Sequence, residues 1–186
     1  MIVSVPNPIL TAPVQRIKKV DKKILQIVDQ MKQTLKGTNN PKGVGLAAPQ
    51  IGIPLSIFIT RPKEDSPMDV FINPEITWKS DKLAELFRPK DSKPGARKEK
   101  KLEGCLSIPD VWGHLKRHTK IKLRYMNIKG EIKEQEFEGF MATIVQHEVD
   151  HLNGILFTKR VLEQKQKLYK IEKDEKGGEN LVEIEI

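Results

Sequence analysis

The spacing of apolar residues near the N-terminus predicts an amphipathic helix. Between residues 21 and 37, apolar side chains recur three and four positions apart, which is the period of one helix face. Asp21 can cap the first turn through its carboxylate, and Gly37 is a residue type that commonly follows a helix. The apolar face that we expect to pack on the core consists of Ile24, Ile27, Val28, Met31 and Leu35.

Strands are predicted where β-branched and aromatic residues cluster in short runs. Residues 55–60 (LSIFIT) and 69–74 (DVFINP) have this composition. Residues 121–126 (IKLRYM) and 131–138 (EIKEQEFE) flank the turn sequence NIKG, which predicts an antiparallel hairpin. A last strand is expected in the tail, where apolar and charged residues alternate after the sequence KGG.

The second half of the chain predicts two further helices. Residues 140–152 have a helical pattern, and Asn153-Gly154 is a typical stop. Another helix is expected from 162 to about 173. Because strands and helices mix without regular alternation, we predict an α+β fold. In this fold, antiparallel strands pack around the helix at 140–152 as the central helix, within one domain that spans residues 1–186.

Charge is distributed unevenly along the chain. The net charge is +8, and residues 79–101 hold nine Lys or Arg residues against four Asp or Glu. We predict an exposed basic loop insertion at 79–101 and a variable tail at 163–186. Such a loop can attract RNA or the ribosome, whereas the alternative is a solvated loop without a partner. With only ten aromatic residues, we expect no base-stacking platform and no sequence-specific binding of nucleic acid.

Composition also bears on the cellular compartment. The N-terminal sequence MIVSVPNPIL lacks the basic head and long apolar stretch of a signal peptide. No apolar run approaches the roughly 20 residues that a membrane span needs. The single cysteine, Cys105, excludes an internal disulfide and suits a reducing compartment. We therefore expect a cytoplasmic protein without a membrane segment.

The predicted helix at 140–152 carries the sequence HEVDH, in which a metal site is the leading interpretation. On a helix, His147 and His151 lie one turn apart on the same face, so both imidazoles can reach a single ion. Glu148 is rotated by about 100° from His147, near enough to reach a water at the metal without being a ligand. The alternative is a polar helix in which the two histidines serve packing alone.

A catalytic metal needs a third protein ligand and an open position. The candidates are Cys105, in the sequence LEGCLSIP, and His114 and His118, in the sequence WGHLKRH. Thiolates bind Zn²⁺ and Fe²⁺ well, so we prefer Cys105, although its alternative role is that of a small buried apolar residue. The two further histidines are expected in a surface loop among basic neighbours.

Three separated motifs resemble the signatures of one enzyme family. They are GVGLAAPQ at 43–50, EGCLS at 103–107 and QHEVDHLNG at 146–154. In sequence and in order these motifs resemble those of peptide deformylases, and the resemblance covers roughly residues 1–165. It implies an enzyme that removes the formyl group from N-formylmethionyl nascent chains and releases formate.

The same resemblance implies a ligand set and a metal. Cys105, His147 and His151 would bind one divalent ion, natively Fe²⁺, with Zn²⁺ or Ni²⁺ as substitutes. The implied partners are N-formylmethionyl nascent peptides, and association with the ribosome is a further hypothesis.

Further site residues follow from the resemblance. Glu148 would be the general base and acid, while the Gln50 side-chain amide and the Leu106 backbone N–H would donate to the formyl oxygen. Gly45 would lie along the substrate. Ile144 stands one helical turn before the first histidine and is expected to line a methionine pocket, with plain core packing as its alternative.

Two carboxylates are candidates for orienting these groups. Glu103 and Asp150 either fix a histidine or pair with Arg117, or they are ordinary surface carboxylates.

Two features depart from the family pattern. The segment before EGCLS is unusually long and basic, and the tail lacks the long helix by which some members dock on the ribosome.

Two other functions remain as alternatives to deformylation. One is that of an HExxH metallopeptidase, which would need a further His or Glu downstream as its third ligand. The other is that of a non-catalytic relative that binds ribosomes or RNA through the basic loop.

Overall fold

The strands form three antiparallel groups in the computed structural model, which describes residues 1–39, 42–85, 102–173 and 179–185. In chain order the strands are β1 (Gly45–Ala47), β2 (Ile57–Thr60), β3 (Asp69–Lys79), β4 (Leu83–Glu85), β5 (Glu103–Cys105), β6 (Ile108–Gly113), β7 (Lys116–His118), β8 (Lys120–Met126), β9 (Ile132–Glu138), β10 (Leu168–Lys173) and β11 (Glu179–Ile184). A five-stranded sheet has the order β1-β2-β3-β8-β9, and a four-stranded sheet has the order β11-β10-β6-β5. Strands β4 and β7 pair separately.

Three α-helices complete the described fold: α1 (Lys22–Lys36), α2 (Gly139–Leu152) and α3 (Phe157–Glu163). The predicted cap of α1 is confirmed, because the Asp21 carboxylate accepts a hydrogen bond from the Ile24 backbone N–H at 2.9 Å. The predicted hairpin is confirmed as β8 and β9, and the predicted second helix as α2.

Helix α2 lies at the centre of the molecule. Strand residues alternate between the two faces of the five-stranded sheet. Ile57 and Ile59 therefore face the cluster that contains the apolar side of α1, while Phe58 faces the cluster that contains α2. Helix α3 packs with the four-stranded sheet through Phe157 and Val161. The predicted α+β fold, with antiparallel strands around a central helix in one domain, is confirmed.

The prediction of a helix from 162 to about 173 is wrong. Helix α3 ends at Glu163, and Lys165 adopts a positive φ of 53°, which interrupts a helix. Strand β10 follows and pairs with both β11 and β6. Backbone pairing with β6, which is remote in sequence, and with the neighbouring β11 decides the conformation here.

The region around the predicted basic loop is more ordered than expected. Strand β3 extends to Lys79, and β4 pairs with β7, so residues 83–85 are strand rather than loop. The remainder of the predicted loop, 86–101, lies outside the described residues. His114 lies in the link between β6 and β7, as predicted, whereas His118 lies on β7. Both are half-buried, and the His118 Nδ1 lies 2.6 Å from the Ser80 carbonyl oxygen.

Candidate active site

Two elements bring three metal-ligating side chains together. Helix α2 presents His147 and His151 one turn apart, and Cys105 stands at the end of β5. One ligand atom from each residue lies within 4.8 Å of the other two, and the Cys105 Sγ is 3.1 Å from the His151 Nε2. The predicted third ligand, Cys105, is therefore the one that meets the histidines.

The donor set fits one divalent transition metal ion. Bond lengths of about 2.3 Å to sulfur and about 2.1 Å to nitrogen place tetrahedral donor atoms roughly 3.3–3.6 Å apart. The separation of 3.1 Å between Cys105 and His151 is near this spacing, the other two separations do not exceed 4.8 Å, and both Cys105 and His151 are buried. One thiolate and two imidazoles are ligands that Zn²⁺, Fe²⁺ and Ni²⁺ all accept, so these residues can hold a metal without fixing which one.

A buried network of charges orients the first histidine. The His147 Nδ1 lies 2.7 Å from the Glu103 Oε1, which leaves the Nε2 for the metal cluster. Arg117 donates two hydrogen bonds to Glu103, at 2.8 and 2.7 Å, and a third to Asp150 at 2.9 Å. Arg160 donates to the other oxygen of Asp150 at 2.9 Å. Glu103 and Asp150 are thus the orienting and pairing carboxylates rather than surface groups.

Burial and neighbouring charges both shift the pKa values of this network. Burial favours neutral Glu103, but Arg117 and His147 outweigh it and hold the pKa of this carboxyl well below its usual range. Burial likewise opposes the charge of His147, yet hydrogen bonds to Cys105 and Glu103 raise its pKa well above the ordinary value. Burial, reinforced by the charges of His147 and Arg117, lowers the pKa of His151.

Glu148 occupies an apolar, enclosed position beside the cluster. Its side chain is 4 % exposed, and burial raises its pKa to about 7. Its Oε2 has no hydrogen-bond partner among the described residues. A carboxylate with a pKa close to neutrality and a free oxygen can both take and return a proton at physiological pH.

A cavity of about 70 Å³ opens in front of Glu148. The predicted site residues that line it are Gly45, Gln50, Cys105, Leu106, Ile144, His147 and Glu148. His151 lies behind them, with 1 % of its surface exposed. Phe140, from the first turn of α2, and Trp112, from β6, add apolar walls. The structure therefore gathers every predicted site residue around one small, largely apolar space.

Gln50 is held so that its amide nitrogen faces the Cys105 sulfur. It lies in a 3-10 turn after β1, and its Oε1 accepts a hydrogen bond from the Ala47 N–H at 2.8 Å. The Nε2 therefore points to the Cys105 Sγ, 3.6 Å away, and to the Ser107 Oγ, 3.3 Å away. An N–H donor fixed in this way can stabilise negative charge that develops in the cavity.

The sequence did not reveal three residues that shape the site. Ser107 is fully buried against Gln50, and its place within the EGCLS motif was the available signal. Trp112 stands opposite Gly104 across β5 and β6, and a Cβ at Gly104 would lie 2.7 Å from the indole ring. A glycine paired with a large aromatic residue could have signalled this contact. Arg160 carried no sequence signal, because its partner Asp150 lies on another element.

Comparison with known proteins gives a consistent result. A model of the polypeptide deformylase family matches residues 1–167. A peptide deformylase from Aquifex aeolicus is 40 % identical over 184 residues, which cover 92 % of this chain and 98 % of the relative. One from Phenylobacterium zucineum is 36 % identical over 182 residues, which cover 95 % of this chain and 97 % of the relative.

Solved structures agree in fold and in extent. The crystal structure of the Thermotoga maritima peptide deformylase has a TM-score of 0.73 and 32 % identity, covering 87 % of this chain and 96 % of that chain. The Synechococcus elongatus enzyme, in complex with actinonin, has a TM-score of 0.73 and 31 % identity, covering 87 % and 79 %. Since the family model, the relatives and the solved structures all span most of the sequence, this chain belongs to the polypeptide deformylase family.

Proposed function

We propose that Cys105, His147 and His151 hold one divalent metal ion, natively Fe²⁺, with Zn²⁺ or Ni²⁺ as functional substitutes. As a peptide deformylase, the protein is a metal-dependent hydrolase that removes the N-formyl group from nascent polypeptides. Family membership favours this activity over an HExxH metallopeptidase and over a non-catalytic relative. The observation that carries the ligand assignment is the convergence of one sulfur and two imidazole nitrogens within 4.8 Å.

Each protein group at the site has a different role in the hydrolysis. A divalent metal bound to the cluster would lower the pKa of water to about 7 and polarise the formyl carbonyl. Glu148 takes the proton of the attacking water and returns it to the departing amine nitrogen. The Gln50 amide and the Leu106 backbone N–H donate hydrogen bonds to the formyl oxygen as it becomes negative. The products are formate and a free amino terminus.

Substrate recognition uses the walls of the cavity. Gly45 allows the peptide backbone to approach, because it presents no side chain. Ile144 and Phe140 stand one turn apart on α2 and face the same space, where they receive the methionine side chain.

Exchange of the thiolate tests the ligand assignment. Cys105→Ser should bind less than one metal ion per chain after anaerobic purification and should lose formate release from formyl-Met-Ala-Ser, because the thiolate is the charged ligand. His114→Ala removes an imidazole outside the cluster and should keep both metal and activity. Full metal content and normal turnover in Cys105→Ser would refute the assignment.

Gly45→Ala should slow turnover through Glu148. A Cβ at position 45 would lie 2.8 Å from the Glu148 Cδ and 3.0 Å from its Cγ, so the carboxylate has to move. Displacement of a catalytic group by about 1 Å can cost up to 10²-fold in rate, so we expect kcat to fall about 10- to 100-fold. Gly37→Ala is the matched control, because its Cβ would meet nothing closer than 3.5 Å. Unchanged kcat in Gly45→Ala would show that Glu148 is not held against this glycine.

Burial of Glu148 should make the metal-free protein lose stability as pH rises. The pKa of Glu148 is about 7 when folded, against an ordinary value of 4.5, so the folded chain binds this proton more tightly than the unfolded chain. The contribution of this group is therefore most favourable below pH 4.5 and is lost as pH approaches 7. Relative to Glu148→Gln, the wild type should lose about 2 to 3 kcal/mol of unfolding free energy between about pH 5 and 8. Urea titrations of both metal-free proteins measure this difference, and a constant difference across that range would contradict it.

Three broader assignments complete the proposal. Residues 1–186 form one catalytic domain with a basic insertion at 79–101 and a variable tail at 163–186, and the protein works in the cytoplasm. None of the described helices is long and apolar enough to cross a bilayer.

The described part of the tail contains β10 and β11 rather than a docking helix, so we assign ribosome contact to the basic insertion. Deletion of residues 86–101, which spares β3 and β4, should abolish co-sedimentation with ribosomes in low salt, and unchanged co-sedimentation would exclude the assignment.

A further inference from the structure

A pocket with several basic side chains adjoins one end of the active-site cavity. The cavity wall runs from Gly45 through Val44 and Gly43 to Lys42, and the last three of these residues also line a neighbouring pocket. That pocket contains four basic residues and one acidic residue, for a net charge of +3. We call this group the basic rim; its members are Lys36, Lys42, Arg61, Lys63 and Glu64.

The basic rim is fixed to the substrate-binding strand by backbone hydrogen bonds. Arg61 follows β2 directly, and its N–H donates to the Val44 carbonyl oxygen at 2.7 Å. The Gly43 N–H donates to the Thr38 hydroxyl at 3.0 Å, just beyond the last residue of α1, Lys36. Three segments of the chain therefore hold the rim at a constant position relative to the cavity.

The positive charge of the rim is mostly uncompensated. Lys42 pairs with Glu64 at 2.6 Å, but their side chains are 65 % and 64 % exposed, so water weakens the pair. The Arg61 Nε donates to the backbone carbonyl of Glu64 at 3.0 Å. Within the described ranges, the ammonium groups of Lys36 and Lys63 have no ion-pair partner. A ligand with carboxylates can thus meet free cations here.

The path of the substrate leads to this rim. Strand β1 is an edge strand of the five-stranded sheet, and Gly45 at its start lies against Glu148. With Glu148 acting on the formyl group, as proposed above, the formyl end of a peptide lies at Gly45. The rest of the peptide then leaves past Val44 and Gly43, because Leu46 and Ala47 on the other side are fully buried. An extended peptide advances about 3.3 Å per residue, so about the third to fifth residues reach the basic rim.

We propose that the basic rim selects formylated nascent chains with Asp or Glu at about the third to fifth positions. This inference rests on the proposed function and deepens it by naming a substrate class. Charges on a surface rim act mainly on the rate of productive encounter and are screened by salt. The selection therefore appears in kcat/KM at low ionic strength.

Three formylated peptides test the proposal on the metal-loaded enzyme. They are formyl-Met-Ala-Ser, its extension by two glutamates and its extension by two lysines. We expect kcat/KM for the glutamate peptide to exceed that for the lysine peptide by roughly 3- to 10-fold at low salt. The ratio should approach 1 in about 1 M salt, where the screening length is about 3 Å. Equal values at low salt would overturn the proposal.

A charge-reversed variant assigns the effect to the rim. Lys36→Glu combined with Lys63→Glu changes the net charge of the rim from +3 to −1, and both side chains are exposed. This double variant should reverse the preference, so that kcat/KM for the lysine peptide exceeds that for the glutamate peptide. Lys122→Glu combined with Lys129→Glu makes the same change at the opposite side of the sheet and should leave the preference intact. A preference retained by the rim variant would overturn the inference, whereas no formate from any peptide, including the shortest, would overturn the proposed function itself.

Discussion

Replacing Glu148 by glutamine should reduce kcat for formate release by about 10²- to 10⁴-fold, the usual contribution of a general acid and base. The side chain is buried at 4 % exposure, and its pKa of about 7 lets it carry a proton between water and the leaving amine. Glutamine has nearly the same volume and keeps hydrogen-bonding capacity, but it cannot exchange a proton. The cluster of Cys105, His147 and His151 does not include this carboxylate, so metal content should stay at one ion per chain.

The measurement pairs metal analysis with formate release on the same preparation. A loss of turnover with metal retained assigns Glu148 to proton transfer. Loss of both would assign it to the metal site instead, and normal turnover would remove it from the mechanism. Glu136→Gln, the same substitution at an exposed position of β9, is the matched control and should leave both quantities unchanged.

Replacing Arg117 by glutamine should lower the free energy of unfolding by about 3 to 5 kcal/mol, the usual cost of breaking a buried ion pair. Its guanidinium holds Glu103 at 2.7 and 2.8 Å and Asp150 at 2.9 Å, and all three residues are buried. Without it, two carboxylates are left in the interior with less positive charge to balance them. Arg117→Lys keeps the charge but loses the planar fork, so we expect an intermediate loss.

Urea unfolding of the metal-free proteins measures this cost. Lys120→Gln is the control, because Lys120 pairs with Glu138 at the surface, where the side chains are 49 % and 71 % exposed. That change should cost less than about 1 kcal/mol. If the two variants lose the same stability, the buried network does not support the fold. Because Glu103 also fixes His147, Arg117→Gln should in addition weaken metal binding by about 10- to 100-fold.

Local patterns were sufficient to predict the elements that carry the site. Helix α2 has its apolar face and its stop, Asn153-Gly154, within one stretch of sequence, so both its existence and the one-turn spacing of its histidines could be predicted. The third ligand was harder to predict, because Cys105 lies 46 residues from His151 and no periodicity connects the two residues. The choice of Cys105 over His114 and His118 came from ligand chemistry, and the fold supports it by placing β5 beside α2.

Other features depend on contacts that leave no local trace. The segment at 168–173 places Leu168 and Ile171 three residues apart, a spacing that a helix and a strand can both accommodate. Pairing with β6 and β11 decides the outcome. Likewise, the partners of Arg117 are 14 and 33 residues away, so the charge network became visible only in three dimensions.

X-ray absorption spectroscopy of the metal-loaded protein tests the central claim, which is that one thiolate and two imidazoles hold a single catalytic ion. We predict one sulfur neighbour at about 2.3 Å and two imidazole nitrogens at about 2.1 Å, with the sulfur signal lost in Cys105→Ser. A spectrum of the wild-type protein without a sulfur neighbour, at one metal ion per chain, would contradict the account.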